Sequence, residues 1–371
     1  MKILIVSSCY YPSQSPRSFR TTELAQELSR QGHDVTVCIP KNGYDYTDYL
    51  KNHRINFAYI NIPHSRVSIA KAGRLMALWN RIKARIEYTY LQYPDIYYLK
   101  ELPIYLVSAG HFDAIISIAV PHPIHWGIAK AIRKFGKDSI CNVWIADCGD
   151  PFMLCKTDSF RKPFYFKKFE KDFCRKADYI TIPVKGGKDG YYPEFRPKIR
   201  VIPQGFDFSG IKTAAYAPNK VATFAYAGGF IPEIRDPRPI LDFLCGCGHD
   251  FKFYVYTKQE SLVTPFKDRL GDRLILSGYI DRVKLIYKMS TYDFLLNIEN
   301  GTAVQTPSKL IDYALTKRPV LSLNSQNLDT GKFDRFLNGD YTQQLELPDI
   351  RNYDITNVVK SFITLIQSNI Q

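Results

Sequence analysis

The feature that most limits this chain is a series of short apolar runs that are separated by helical segments and do not alternate polar and apolar residues within themselves. "KILIVS" is followed by a helical segment carrying Leu24, Ala25 and Leu28 and closed by Gly32. "HDVTVCIP" and "INFAYINIP" come next, then, after a basic helical region, "AIISIAV", "ICNVWIAD", "YITIPV" and "IRVIPQG". Runs of this kind, spaced by helices, predict parallel strands covered on both faces. A polar, irregular stretch at 207–220 intervenes, and the pattern restarts with "TFAYAGG", "FKFYVYT", "LILSGYI", "YDFLLNIEN" and "RPVLSLN". The chain has 371 residues, more than one hydrophobic core usually serves. The expected fold class is therefore α/β, with two Rossmann-like doubly wound parallel-sheet domains facing a central cleft at the carboxyl ends of their strands. We place them at 1–207 and 208–350, followed by a C-terminal helix within 351–371 that can pack back on the first domain.

"TPSKLIDYALTKRPVLSL", residues 306–323, contains an anomaly. It reads as a helix opened by Pro307 and closed near Lys317, with Leu310, Ile311 and Ala314 on its apolar face. Lys309 puts a cation in the first turn, where the helix already carries about half a positive charge. Solvent screening on a tolerant surface is one explanation. The other is an anion held by Lys309 together with the free amides at 307–309.

A second site of the same kind follows "TFAYAGG". Gly228 and Gly229 let backbone approach a ligand, Asp236 and Pro237 start a helix, and Arg235 lies just ahead of it. Arg235 and Lys309 both belong to the carboxyl edge of the second sheet, and two cations with two helix N-termini there fit a diphosphate. Asp312 lies one turn after Lys309, placed either to pair with it or to accept ribose hydroxyls.

These segments resemble those of the GT-B glycosyltransferases of the large retaining family 4. "VIPQGFD" (201–207) is similar to that family's "IPNGVD", and "GHDVTVCIP" to its "GHEVTV" strand. "YAGGFIPEIRDPRPI" resembles its donor-phosphate loop, "LSGYIDRVKLIYKMSTYDFLLN" its "GWLPREELPELLASADVFL" segment, and "PSKLIDYALTKRPVLSL" the variant block "PSKLxEYxAxGKPVL" of its capsule and polysaccharide branch. The matches run in order from residue 31 to residue 324. The resemblance implies a nucleotide diphosphate sugar as donor substrate, with no metal or other cofactor. It makes Arg235 a diphosphate-binding cation, with Lys309 of the "PSK" block as its partner. Asp312 stands at the second Glu of the family's E-x7-E motif, in contact with the donor ribose. The first Glu falls at Val304, so Glu299 or Asn300 in the preceding loop is the acidic or polar substitute. Gly278 to Ile280 resembles the backbone that meets the nucleobase, and Thr306, Pro307 and Ser308 complete the donor-side loop.

In the first domain, "SPRSFRTTELAQEL" replaces the family's Gly-Gly loop, which places Arg17 and Arg20 in the turn after the first strand. "VPHPIHWGIAK" places His122 and His125 at another strand's carboxyl end. "WIADCGDPF" resembles an Asp-x-x-Asp-Pro element of some relatives, with Asp147 and Asp150 expected to bind sugar hydroxyls or orient the nucleophile. Arg17, Arg20 and His122 are expected on the acceptor side, and His125, Asp147 and Asp150 with Arg235 and Lys309 in catalysis.

The formal charge of +14 calls for an anionic partner, whether nucleotide, nucleic acid or acidic membrane. "KAGRLMALWNRIKARIEYTY" puts Leu75, Leu78, Trp79, Ile82 and Ile86 on one helical stripe flanked by Arg74, Arg81 and Arg85. That is the composition of an interfacial helix on anionic lipid. "FRKPFYFKKFEKDFCRK" repeats the character; core-facing helices with solvated rims, or aromatic stacking on RNA, are the rival readings. The eight scattered cysteines form no zinc pattern and suggest reduced thiols in a reducing cytosol. "MKILIVSSCYYP" reads as a buried strand rather than a signal peptide, and no run approaches the roughly 18 apolar residues of a membrane span.

The expected protein is a retaining glycosyltransferase of surface polysaccharide biosynthesis. Its acceptor is a glycan, lipid-linked as on undecaprenyl diphosphate, and its location is cytoplasmic, peripheral at the inner face of the membrane, with no nucleic acid partner. The alternatives are a nucleotide-sugar 2-epimerase of similar fold and a non-catalytic basic module for RNA or membrane.

Overall fold

The structure is a computed structural model that describes residues 1–63, 74–155, 161–278, 280–299 and 308–369. The chain divides into two compact units, Met1–Asp207 with Asn352–Gln371, and Phe208–Arg351.

The first unit is built on β1 (Lys2–Val6), β2 (Asp34–Pro40), β3 (Ile55–Ile60), β4 (Phe112–Ala119), β5 (Cys141–Cys148), β6 (Tyr179–Ile182) and β7 (Ile199–Val201). They form one sheet in the order β3-β2-β1-β4-β5-β6-β7, with every adjacent pair parallel. Its helices are α1 (Pro16–Arg30), α2 (Thr47–Asn52), α3 (Arg74–Leu91), α4 (Tyr98–Ala109), α5 (Pro123–Phe135) and α6 (Phe166–Lys176). Successive side chains of a strand point to opposite faces, and both faces are apolar. Leu4 and Val6 pack with α4, α5 and α6, while Ile3 and Ile5 pack with α1. The start of α1 is set locally: Ser15 Oγ accepts from the Ser18 amide at 3.2 Å, and Pro16 opens the first turn without a donor to satisfy.

The second unit carries β8 (Ala222–Ala227), β9 (Phe251–Tyr256), β10 (Leu274–Ser277), β11 (Phe294–Ile298) and β12 (Val320–Leu323), ordered β10-β9-β8-β11-β12 and again parallel. Its helices are α7 (Arg238–Gly246), α8 (Lys267–Leu270), α9 (Arg282–Met289), α10 (Ser308–Thr316) and α11 (Thr330–Leu337). Phe224 and Tyr226 face α7 and α11, whereas Ala225 and Ala227 face α9 and α10. Asp281 caps α9 by accepting from the amides of Val283 and Lys284. The final helix, α12 (Ile355–Gln367), belongs to the first unit and buries Val358, Val359 and Phe362 in the core layer beside α1.

All twelve strand segments anticipated from the apolar runs are present, in two parallel sheets. In each sheet the order reverses beside the first strand, between β1 and β4 and between β8 and β11. In doubly wound folds ligands bind outside the carboxyl ends of the strands at that reversal.

Candidate functional site

At the reversal of the second sheet, a cavity of about 380 Å3 opens among the carboxyl ends of β8 and β9 and the helices α9 and α10. Gly228 and Gly229 form one wall, Thr257 and Gln259 another, and Ile280, Leu285 and Met289 an apolar end. Its size lies within the range of small-molecule sites. Gly228 has φ +147°, which a side chain would strain. A Cβ on Gly229 would come within 3.0 Å of Gln259 Oε1, the atom that accepts the Phe230 amide at 2.7 Å. Bare backbone therefore lines this wall.

Lys309, on the first turn of α10, reaches into the cavity. Its ammonium lies 4.9 Å from the centre of the Tyr226 ring and 3.5 Å from the Ile298 carbonyl. Among the described residues it has no carboxylate partner. Burial, reinforced by the nearby Arg235 guanidinium, holds its pKa down to about 7. Arg235 is unneutralised as well, and its Nε is buried without a hydrogen-bond partner among the described residues. The turn that carries Arg235 is closed by two backbone bonds, Ile231 N to the Arg235 carbonyl at 3.2 Å and Arg235 N to the Ile231 carbonyl at 2.8 Å. Just beyond it, Asp236 accepts the Arg238 amide at 3.0 Å at the start of α7. The result is a cation lining the cavity at a helix N-terminus, with a second cation near enough to repel it, an arrangement that favours a bound anion.

Asp312 also lines the cavity but does not pair with Lys309, as its spacing had allowed. It pairs with Arg282 of α9, whose Nε and Nη2 both donate to Oδ1, at 2.9 and 2.6 Å. Burial raises the carboxyl pKa, and Arg282 offsets part of that rise. Sequence reasoning missed Arg282, which reads as an ordinary solvated residue after the Asp281 cap. Ile280 lines the cavity; Gly278 is exposed and not on its wall. Glu299 is exposed and accepts from Ser322 Oγ at 3.0 Å. Asn300, Thr306, Pro307 and the side chain of Ser308 lie outside the described residues.

The first unit corrects several expectations. Arg20 and Asp147 are not open to substrate: both are buried and form a two-bonded pair, Nε to Oδ2 at 3.0 Å and Nη2 to Oδ1 at 2.9 Å. Thr181 Oγ1 adds a third bond to Asp147 at 2.7 Å, and Arg20 also donates to the carbonyls of Ile202 and Pro203. Burial alone would raise the Asp147 pKa, but Arg20 prevails and holds it below the usual carboxylate value. His125 is a core residue rather than an edge residue. Its Nδ1 meets Ser117 Oγ at 2.8 Å and its Nε2 meets Cys148 Sγ at 3.3 Å, and burial drives its pKa well below the ordinary histidine value. His122 is buried too, with Nε2 donating to the Asp150 carbonyl at 3.1 Å. Arg17 and Asp150 keep exposed surface, and the Arg17 guanidinium lies over Gly149, 2.7 Å from where a Cβ would stand.

The two basic aromatic stretches separate. In α6 the rings of Phe166 and Phe173 are buried in the core, which removes them from any stacking surface. In α3, Leu78, Trp79, Ile82 and Ile86 are between 45% and 64% exposed, beside the exposed Arg81 and Arg85. The side chains of Arg74 and Leu75 lie outside the described residues. The eight cysteines form no disulfide, and Cys38, Cys141, Cys148 and Cys174 are buried. No helix among the described residues is long and apolar enough to cross a membrane. Among them, no three His, Cys, Asp or Glu side chains converge as metal ligands.

Two doubly wound parallel-sheet units with an anion-favouring cavity at the second reversal define the class: the fold is that of the GT-B glycosyltransferases. Among solved structures, the chain is similar to the lipopolysaccharide outer core galactosyltransferase WaaB in its apo form, with a TM-score of 0.60 and 14% identity over 99% of each chain. It is also similar to the Anabaena protein HepE in complex with UDP, with a TM-score of 0.59 and 10% identity over 99% of this chain and 100% of that one. The Neisseria meningitidis UDP-GlcNAc 2-epimerase bound to UDP-GlcNAc scores 0.55 at 13% identity, over 99% of this chain and 100% of that one. No family model and no curated protein sequence matches the chain.

Proposed function

We propose that the chain is a retaining glycosyltransferase that moves a sugar from a nucleotide diphosphate sugar to a hydroxyl of a glycan acceptor. One observation carries the reading: Lys309 lines the cavity at the reversal of the second sheet, Arg235 repels it, and neither has a carboxylate partner among the described residues. As the bond between the sugar and the diphosphate breaks, negative charge grows on the leaving phosphate. Lys309, Arg235 and the amides at the start of α10 stabilise it where it develops, in a site already organised to receive it. Retention follows if the acceptor hydroxyl attacks from the leaving-group face and gives its proton to the departing phosphate. The apolar end at Ile280, Leu285 and Met289 takes the nucleoside, and the Asp312 carboxylate takes the ribose hydroxyls. UDP in HepE makes a uridine diphosphate sugar the first donor to test. This reading uses no metal or other cofactor. Incubation of UDP-sugars with soluble glycan acceptors, followed by mass spectrometry, tests it; a 2-epimerised sugar without transfer would support the epimerase alternative instead.

The acceptor in this reading is lipid-linked, in surface polysaccharide assembly at the cytoplasmic face of a membrane. The exposed apolar stripe of α3 with its arginines supports it, as does Phe164, 85% exposed, next to Tyr165, whose hydroxyl donates to the Tyr90 carbonyl of α3. Sedimentation with phosphatidylcholine vesicles, with and without phosphatidylglycerol, tests it. Binding is expected only to the anionic vesicles and is lost in Trp79→Glu, whereas no binding to either removes the membrane from the account.

A further inference from the structure

A second surface fits the acceptor side, and neither the cavity nor the α3 stripe includes it. Three tyrosines cluster at the carboxyl ends of β1, β2 and β3: Tyr11 in the loop after β1, Tyr44 in the loop after β2, and Tyr59 near the end of β3. They are 43%, 40% and 48% exposed. Inner rings hold them in place. Tyr11 stacks on Tyr49 with centroids 5.1 Å apart and meets the edge of Tyr44 at 5.9 Å. Tyr44 packs on Tyr46 at 4.8 Å, Tyr46 stacks on Phe57 at 4.3 Å, and Phe57 on Tyr59 at 6.2 Å. Hydrogen bonds lock the frame: the Tyr46 hydroxyl donates to the Tyr11 carbonyl at 2.6 Å and accepts from Asn42 Nδ2 at 2.8 Å.

From this shelf we infer a saccharide-binding subsite for the acceptor, an inference that rests on the glycosyltransferase reading. The rings of Tyr11 and Tyr59 each stack on an inner ring, Tyr49 and Phe57, and both residues keep exposed surface. The C–H bonds on the apolar face of a pyranose carry slight positive charge and pack against the negative face of an aromatic ring, while the phenol hydroxyls meet sugar hydroxyls at the rim. Each exposed ring of the shelf carries a hydroxyl, whereas Leu78, Ile82 and Ile86 of the α3 stripe carry no polar atom, so the shelf suits a wet, polar ligand rather than lipid. The charges that act on these rings are the carboxylates of Glu23, Asp45 and Asp48, the last paired with Lys51 at 2.5 Å. That favours a neutral sugar over a phosphate. The rings are fixed in advance, so little side-chain freedom is lost on binding.

Saturation-transfer NMR with lactose, maltotriose and chitotriose on the full chain tests the inference, with thermal melts as a control for folding. Transfer to the ring protons of at least one sugar is expected. Tyr11→Ala and Tyr44→Ala should each weaken that sugar about two- to tenfold, and Tyr44→Phe should keep it. Absence of transfer to all three sugars, or transfer unchanged in both alanine variants, overturns the inference. UDP binding measured on the same samples separates the two readings. Sugar contact without UDP binding leaves the shelf standing and removes the donor site, and UDP binding without sugar contact does the reverse.

Discussion

Lys309 is buried at the carboxyl edge of the second sheet, and Arg235 acts on it there as a like charge; burial first and Arg235 second hold the lysine pKa down to about 7. The α10 N-terminus adds its own positive potential. Three effects thus oppose a charge that a surface lysine would carry at no cost. The free protein holds a site of stored repulsion, and an anion in it would relieve all three effects together.

Replacing Lys309 by methionine tests that repulsion directly. Methionine keeps much of the length and removes the charge, so the free protein is expected to gain about 1 kcal/mol, or roughly 2–4 °C in Tm, near pH 6. The sign also has a pH signature. The folded pKa lies below the unfolded value of 10.5, so the penalty is fully present below about 7 and fades as pH rises toward 10.5. The advantage of the variant should fade over the same interval; thermal melts across pH measure it.

Diphosphate binding should take up a proton. An opposite charge beside Lys309 raises its pKa from about 7, so between that value and the bound-state value affinity falls as pH rises, by up to about tenfold per pH unit. Lys309→Arg, charged throughout, should flatten the profile above pH 7. Titrations between pH 7 and 9 decide the point.

Asp312 and Arg282 should separate in kinetics. Asp312→Ala removes the acceptor of ribose hydroxyls and is expected to raise the donor KM about ten- to hundredfold. Arg282→Gln leaves the carboxylate in place but unanchored, so a smaller rise in KM with little change in Tm is expected. Steady-state assays on both variants show whether Arg282 acts through Asp312.

Arg20→Ala should unfold rather than inactivate. It strands Asp147 as a buried, unpaired carboxylate, at a cost of about 3–5 kcal/mol. The pair's contribution is present above the ordinary carboxylate pKa and lost as pH falls through the lowered Asp147 value. Denaturant melts of the variant, with any nucleotide binding it retains, separate this structural role from a catalytic one.

The strands were legible because sheets buried on both faces leave continuous apolar runs, as "FLLNI" and "AIISIA" do. Lys309 was legible as a charge of the wrong sign at a helix start. The Arg20–Asp147 pair was not, because its members are 127 residues apart and only the sheet brings them together. His125 misled for a related reason: it follows a strand end, but the turn of α5 points it inward toward Ser117 and Cys148. The tyrosine shelf left a compositional trace in "CYYP", "YDYTDY" and "FAYI", yet three separate segments had to meet before those rings formed a surface.

Calorimetric titration of UDP into wild type and Lys309→Met at pH 8, in two buffers of different ionisation enthalpy, decides whether a diphosphate occupies the site at Lys309. Wild type is expected to bind with net proton uptake, and the variant to lose both binding and uptake. Binding of equal strength by the two proteins would contradict this, as would the absence of UDP, GDP and ADP binding by wild type.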